Sequence, residues 1–111
     1  MRIWDIAPSR LCREHVLGEH RELHAIWSIL TNHKKGYSKH PETLRWKGAL
    51  ASLYLRHEKL VDELEKRGYR HNSELDKRLA TGKGIQTKYI DTKEDQARLL
   101  KIKGCLCRHN R

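Results

Sequence analysis

A chain of 111 residues has room for one core and not two. No apolar run approaches the roughly 18 residues of a membrane-spanning helix. The start MRIWDIAPSR lacks the apolar region of a secretion signal, and three cysteines are an odd and sparse set that argues against a disulfide framework. Twenty-four Lys and Arg against fourteen Asp and Glu give a formal charge of +10, spread along the whole chain and not gathered on one amphipathic helix. That distribution favours nucleic acid over a membrane surface as the partner.

In chain order, an extended start leads to Pro8 and Ser9, which read as the opening of a first helix running to about Thr31. At about 100° per residue, Cys12, Val16, Leu23, Trp27 and Leu30 fall on one apolar stripe, with His15, Glu19, Glu22 and Ile26 along its border. Asn32 to Pro41 (NHKKGYSKHP) reads as a basic loop. A second, long helix is expected from about Pro41 to Arg67, because Leu44, Ala51, Tyr54 or Leu55, Val61 and Leu64 recur near helical spacing; Lys66, Arg67 and Gly68 mark its end. Gly48 inside it costs about 1 kcal/mol relative to alanine, which close helix packing or close DNA approach would justify.

Ser73 reads as the cap of a short turn over SELDKRLA, followed by a flexible TGKGIQTK segment. Thr92 with Asp95 three residues on resembles a capping box, so Lys93 to Lys103 is a third helix stopped by Gly104. No strand-period run reaches convincing length. The expected architecture is all-α, one domain over residues 1–111 with three helices, an extended start, basic loops and a flexible basic tail at 104–111. Reduced thiols and the missing leader point to a soluble, monomeric, cytoplasmic protein, nucleoid-associated in a prokaryote or virus-encoded.

The strongest chemical signal is the chain start. An α-amine has a resting pKa of about 7.7 to 8.0, so roughly one molecule in seven carries a nucleophilic amine at pH 7. Methionine removal in cells generally requires a small neighbour, and Arg2 is large, so Met1 is expected to stay. Glu22 on the first helix is ordinarily a solvated glutamate. Beside a neutral amine, a carboxylate can shuttle protons and stabilise a cationic sugar transition state. His15 lies two turns earlier on nearly the same face, as a supporting group or as an ion-pair partner of Glu19.

Other clusters read as structural or inert. His20 and His24 stand at i,i+4 in HRELH, but the order is wrong for H-E-x-x-H and no third ligand is evident, so no metal is expected. Cys105, Cys107 and His109 form C-x-C-x-H with no second pair. Gly82-Lys83-Gly84 lacks the length and terminal Ser or Thr of a phosphate loop. Trp27 lies on the core stripe. Trp46, between Arg45 and Lys47, is either a base-stacking residue or a core residue.

Taken together these residues resemble a known family. Met1-Arg2-Ile3 precedes Glu14-His15-Val16-Leu17-Gly18-Glu19-His20-Arg21-Glu22-Leu23 at the spacing found in the pyrimidine-dimer DNA glycosylases with abasic-lyase activity, the phage endonuclease V type. In that family T-R-I is followed by Q-H-L-M-A-E-Y-R-E-L. Leu60 to Tyr69 (LVDELEKRGY) is similar to the end of the family's second helix, and Tyr89-Ile90 with Gln96-Ala97-Arg98-Leu99 resembles the start of its third.

The resemblance implies a cofactor-free enzyme acting on damaged double-stranded DNA through an imine on the Met1 amine, with Glu22 as the essential carboxylate and His15 in support. It also implies Arg2, Arg21 and Arg98 as phosphate or lesion contacts, and DNA bent to displace a nucleotide. Lys34, Lys35, Lys39, Arg45, Trp46 and Lys83 complete the expected DNA-binding set. Two positions depart from the family's pattern. Ala25 stands where a further first-helix arginine is usual, and the aromatic carboxyl-terminal segment is replaced by Gly104 to Arg111. The rival reading is a non-catalytic basic DNA- or RNA-binding module.

Overall fold

The computed structural model describes residues 3–33, 39–69, 74–86 and 91–102, with residues 101 and 102 described by backbone alone. Met1, Arg2, Lys34, Lys35, Ser73 and the whole 104–111 tail lie outside these residues. Among the described residues the chain is all-α, with four α-helices: α1 (Arg13–Thr31), α2 (Pro41–Trp46), α3 (Leu50–Lys66) and α4 (Lys93–Ile102). Short 3₁₀ turns lie at Pro8–Arg10 and Lys77–Leu79.

The first helix starts later than its periodicity suggests. Pro8 opens only a single 3₁₀ turn, after which Leu11 and Cys12 are extended and buried. The Arg67 guanidinium donates to the carbonyls of Pro8 and Leu11 at 3.2 and 2.6 Å, taking acceptors that a continuous helix would use internally. Cys12 then precedes α1 without a side-chain cap, and Glu14 sits in the first turn. Hydrogen bonding to its own backbone N–H holds the Glu14 carboxyl below the usual range. The apolar stripe is as expected, with Val16, Leu23 and Trp27 buried and Leu30 packed against the core, while the border residues Ile26 and Glu19 are buried as well.

The expected long second helix is two helices. Lys47 is extended and Gly48 adopts φ +79°, a left-handed conformation that L side chains rarely take, so the chain breaks between Trp46 and Leu50. The break is closed by the segment expected to be flexible. Ala51 N–H and Ser52 N–H, in the first turn of α3, donate to the carbonyls of Thr81 and Lys83, while Lys83 N–H donates to Gly48 O at 2.9 Å. The 81–83 loop therefore caps α3 by backbone alone.

Gly82 is forced by this contact. It has φ +82°, and a Cβ there would collide with the backbone carbonyl of Gly48. Gly82→Ala is expected to cost about 3 kcal/mol or more, combining the left-handed strain with a clash that only backbone can relieve. A denaturant titration measures it; a loss below about 1 kcal/mol would show that the loop does not hold the α2–α3 break.

Helix α4 opens as its sequence predicts, with Asp95 N–H donating to the Thr92 hydroxyl at 3.1 Å. Leu100 and Gln96 on this helix are buried. The core joins Ile3, Leu23, Ile26, Trp46, Leu53, Leu60, Leu64 and Leu100. Ile3 is fully buried, so the extended start is part of the core. Burying that one side chain contributes about 1.5–3 kcal/mol relative to exposure.

Candidate active site

A buried extended segment has no ladder partner for its backbone, so each of its polar groups must find a side chain. Here helices supply them on both sides of the chain. Ile3 N–H donates to Glu42 of α2 at 3.1 Å, Trp4 N–H to Glu19 of α1 at 3.0 Å and Asp5 N–H to Gln96 of α4 at 2.7 Å. The carbonyls are taken by arginines: Ile3 O by Arg45 at 2.9 Å and Ile6 O by Arg56 of α3 at 2.9 Å. Four helices thus grip successive residues of the segment that follows the chain start.

The gripping groups are themselves paired. Arg56 forms a two-pronged contact with Glu19, Nε to Oε2 at 2.6 Å and the terminal nitrogen to Oε1 at 3.0 Å. Burial pushes the Glu19 carboxyl above the usual range, against the pull of the Arg56 charge and its hydrogen bonds. Glu42 Oε1 accepts from Ile3 N–H, Arg45 Nε and Trp46 Nε1, whereas its buried Oε2 has no hydrogen-bond partner among the described residues. Arg45 also reaches Asp5, which accepts from Gln96 in turn. Counter-charges and hydrogen-bond donors around each of these side chains offset the cost of burying them.

Within the held segment, Trp4 lies against the border of α1 that carries the candidate residues. Trp4 packs edge-on against the His15 ring at 5.6 Å between centroids, and His15 Nδ1 lies 3.0 Å from Cys12 Sγ. Glu19, which holds the Trp4 backbone, stands between His15 and Glu22 on the same edge. Glu22 follows Glu19 by three residues, about 4.5 Å along the helix axis. Unlike Glu19 and Glu42, Glu22 is half-buried and makes no hydrogen bond or ion pair among the described residues.

The expected DNA-contacting residues divide sharply. Arg21, Lys39, Lys83 and Arg98 are exposed, and Arg98 forms an ion pair with Asp95. Arg45 and Trp46 are not surface groups. Trp46 is 2 % exposed with its indole N–H on Glu42, and Arg45 is 6 % exposed, stacked over the Trp46 ring and tied to Asp5, Glu42 and Ile3. Trp46 therefore has no open face for a base, and Arg45 has no free fork for a phosphate. Both hold the chain start. An open groove lined by Asp5, Arg56, Glu58 and Lys93 reaches the edge of Trp46, whose ring is otherwise packed inside.

The sequence profile of the pyrimidine dimer DNA glycosylases matches residues 1–77. The chain belongs to that family. No curated protein and no solved structure matches it. The matched range carries Met1, Arg2, His15, Arg21 and Glu22 together with Glu19, Glu42, Arg45 and Arg56, whereas Lys83, Gln96 and Arg98 lie beyond it. For a pyrimidine dimer DNA glycosylase the substrate is DNA, which accords with the chain's formal +10 and its exposed cations. No described helix is long and apolar enough to cross a membrane.

Reading the sequence of this glycosylase missed the clamp. Arg56 and His57 interrupt the apolar pattern of α3, and buried polar residues in such a stripe are a signal for internal pairing. Glu42 gave none: after His40 and Pro41 it reads as an ordinary acidic residue in a helix's first turn.

Proposed function

We propose that the chain is a bifunctional DNA glycosylase and abasic-site lyase in which the α-amine of Met1 is the nucleophile and Glu22 the acid–base carboxylate. The neutral amine attacks the anomeric carbon of the damaged nucleotide, and the base leaves with the bonding pair and takes up a proton. The sugar ring opens to a protonated imine. Removal of the adjacent C2′ proton then expels the 3′ phosphate and breaks the strand.

Glu22 stabilises the cationic sugar as the base departs and then carries the proton transfers. Arg2 and Arg21 lower the proton affinity of the amine by like-charge repulsion while holding phosphates. His15 supports the start of the chain through Trp4.

One observation carries this reading. The Trp4 backbone is hydrogen-bonded to Glu19, one helical turn from Glu22, and of the carboxylates along this path Glu22 alone is neither consumed by a structural ion pair nor sealed from a substrate. Met1 and Arg2 span at most about 7 Å. An amine on Met1 thus works within a short radius of the Ile3 N–H, which Glu42 holds.

Borohydride reduction in the presence of duplex DNA containing one abasic site is expected to yield a covalent adduct, and peptide mapping is expected to locate it on Met1. No adduct would leave a basic DNA-binding module, and an adduct on Lys34 or Lys35 would move the nucleophile. Chemical acetylation of the α-amine should remove trapping. Comparing cleavage of a defined cyclobutane dimer with cleavage of an abasic site then ranks the lesions.

Exposed Arg21 is expected to contribute one phosphate contact. Arg21→Ala should weaken binding and flatten the dependence of log affinity on log salt by about one unit. The same change at Arg98 should do less, because its charge is shared with Asp95.

A further inference from the structure

We infer that His20, His24 and His57 form a binding site for a divalent transition-metal ion of the zinc type that staples α1 to α3. The third ligand absent from the HRELH segment is supplied by a residue on the neighbouring helix. The ligand atoms of the three rings all lie within 4.8 Å of one another. His24 Nε2 is 3.2 Å from His20 Nε2 and 3.1 Å from His57 Nε2.

Hydrogen bonding between the rings does not account for this geometry. An imidazole nitrogen has one in-plane site, either a lone pair or an N–H, so His24 Nε2 can serve one neighbour well but not two. A shared ion satisfies all three at once. Zinc–nitrogen bonds of about 2.0–2.1 Å in a tetrahedral arrangement require nitrogens about 3.3–3.4 Å apart, close to the two spacings at His24, while the His20 and His57 ligand atoms lie within 4.8 Å of each other.

The protonation pattern is also set for a metal. His57 is fully buried, and its Nδ1 lies 3.1 Å from Glu58 Oε1. The carboxylate fixes the proton on Nδ1 and leaves the Nε2 lone pair facing the other two rings, the outer-sphere arrangement that orients metal-bound histidines. His20 and His24 are half-buried and His57 is buried. Imidazole donors suit zinc, copper, nickel or iron over calcium or magnesium, and three neutral imidazoles suit zinc.

The site stands apart from the proposed reaction. At about 100° per residue His20 and His24 each lie roughly 160° around α1 from Glu22. The ion's role is to join the two longest helices, one carrying Glu19 and Glu22 and the other Arg56.

The test uses the full chain, stripped with a chelator and titrated with zinc or cobalt. One equivalent should bind, and the cobalt form should show the intense visible bands of a four-coordinate centre. Zinc at about 100 times its dissociation constant should raise the melting temperature by on the order of 10 °C. His57→Ala sits in the core and risks misfolding, so the decisive variants are His20→Ala and Glu58→Gln. The first should lose at least about 100-fold in zinc affinity and the second about 10- to 100-fold. No uptake by the parent chain, uptake unchanged in His20→Ala, or uptake lost only when Cys105 and Cys107 are replaced by serine would each overturn the assignment.

Discussion

Glu22→Gln is expected to reduce single-turnover strand cleavage by about a thousandfold or more while leaving DNA affinity unchanged or slightly tighter. The size follows from what the carboxylate does: proton transfer by a positioned group is worth about 10²–10⁴-fold, and stabilisation of developing positive charge adds to that. Affinity is spared because a carboxylate has the same sign as the phosphates, so losing its charge removes repulsion and no contact. Glutamine keeps the shape of the side chain, and Glu22 makes no hydrogen bond or ion pair among the described residues that the change would break. Stability should therefore stay within about 0.5 kcal/mol. Cleavage at the parent rate in a folded Glu22→Gln protein would remove the acid–base role. Cleavage lost together with DNA binding would show instead that Glu22 organises the DNA-binding surface.

What the sequence made legible divides along the same physical line as these two roles. The α1 stripe, the Thr92 cap and the all-α class were readable because they rest on local periodicity and on hydrogen bonds between residues three or four apart. The split of the second helix was not readable as such. In the sequence Gly48 shows only as a costly helix residue, whereas its positive φ and the carbonyl it offers to Lys83 belong to a contact between residues distant in sequence. The same holds for Arg45 and Trp46: basic and aromatic side by side is a fair signature of a nucleic-acid surface, yet here both face inward, because Glu42 and the Ile3 carbonyl need donors. Glu22 stands out as a candidate in the sequence because it lies on an edge that periodicity defines. The clamp that holds residues 3–6 is built from all four helices, and no short-range pattern encodes it.

Replacing Arg56 tests that clamp. Arg56→Met is expected to destabilise the fold by about 3–5 kcal/mol, because it leaves the Glu19 carboxylate buried without its counter-charge and the Ile6 carbonyl without its donor. Set against a typical domain stability of about 5–15 kcal/mol, this is close to unfolding, so the comparison belongs at low temperature.

The deficit should depend on pH in a definite direction. Burial already pushes the Glu19 carboxyl up, and without Arg56 nothing comparable pulls it back. A folded-state pKa above the unfolded value of about 4.3 adds stability that is fully present below that value and lost as pH rises through the folded one. The deficit is therefore largest near neutral pH and shrinks on acidification. Adding Glu19→Gln to Arg56→Met should recover a large part of the loss, since the double variant buries no orphaned charge and the amide oxygen still accepts from Trp4 N–H. If the double variant also regains borohydride trapping, the Trp4 anchor positions the amine. If stability returns but trapping does not, the Arg56 grip on Ile6 is the part of the clamp that aligns the chain start with Glu22. A deficit that is small, or that grows in acid, would show that Glu19 and Arg56 are not a buried charged pair.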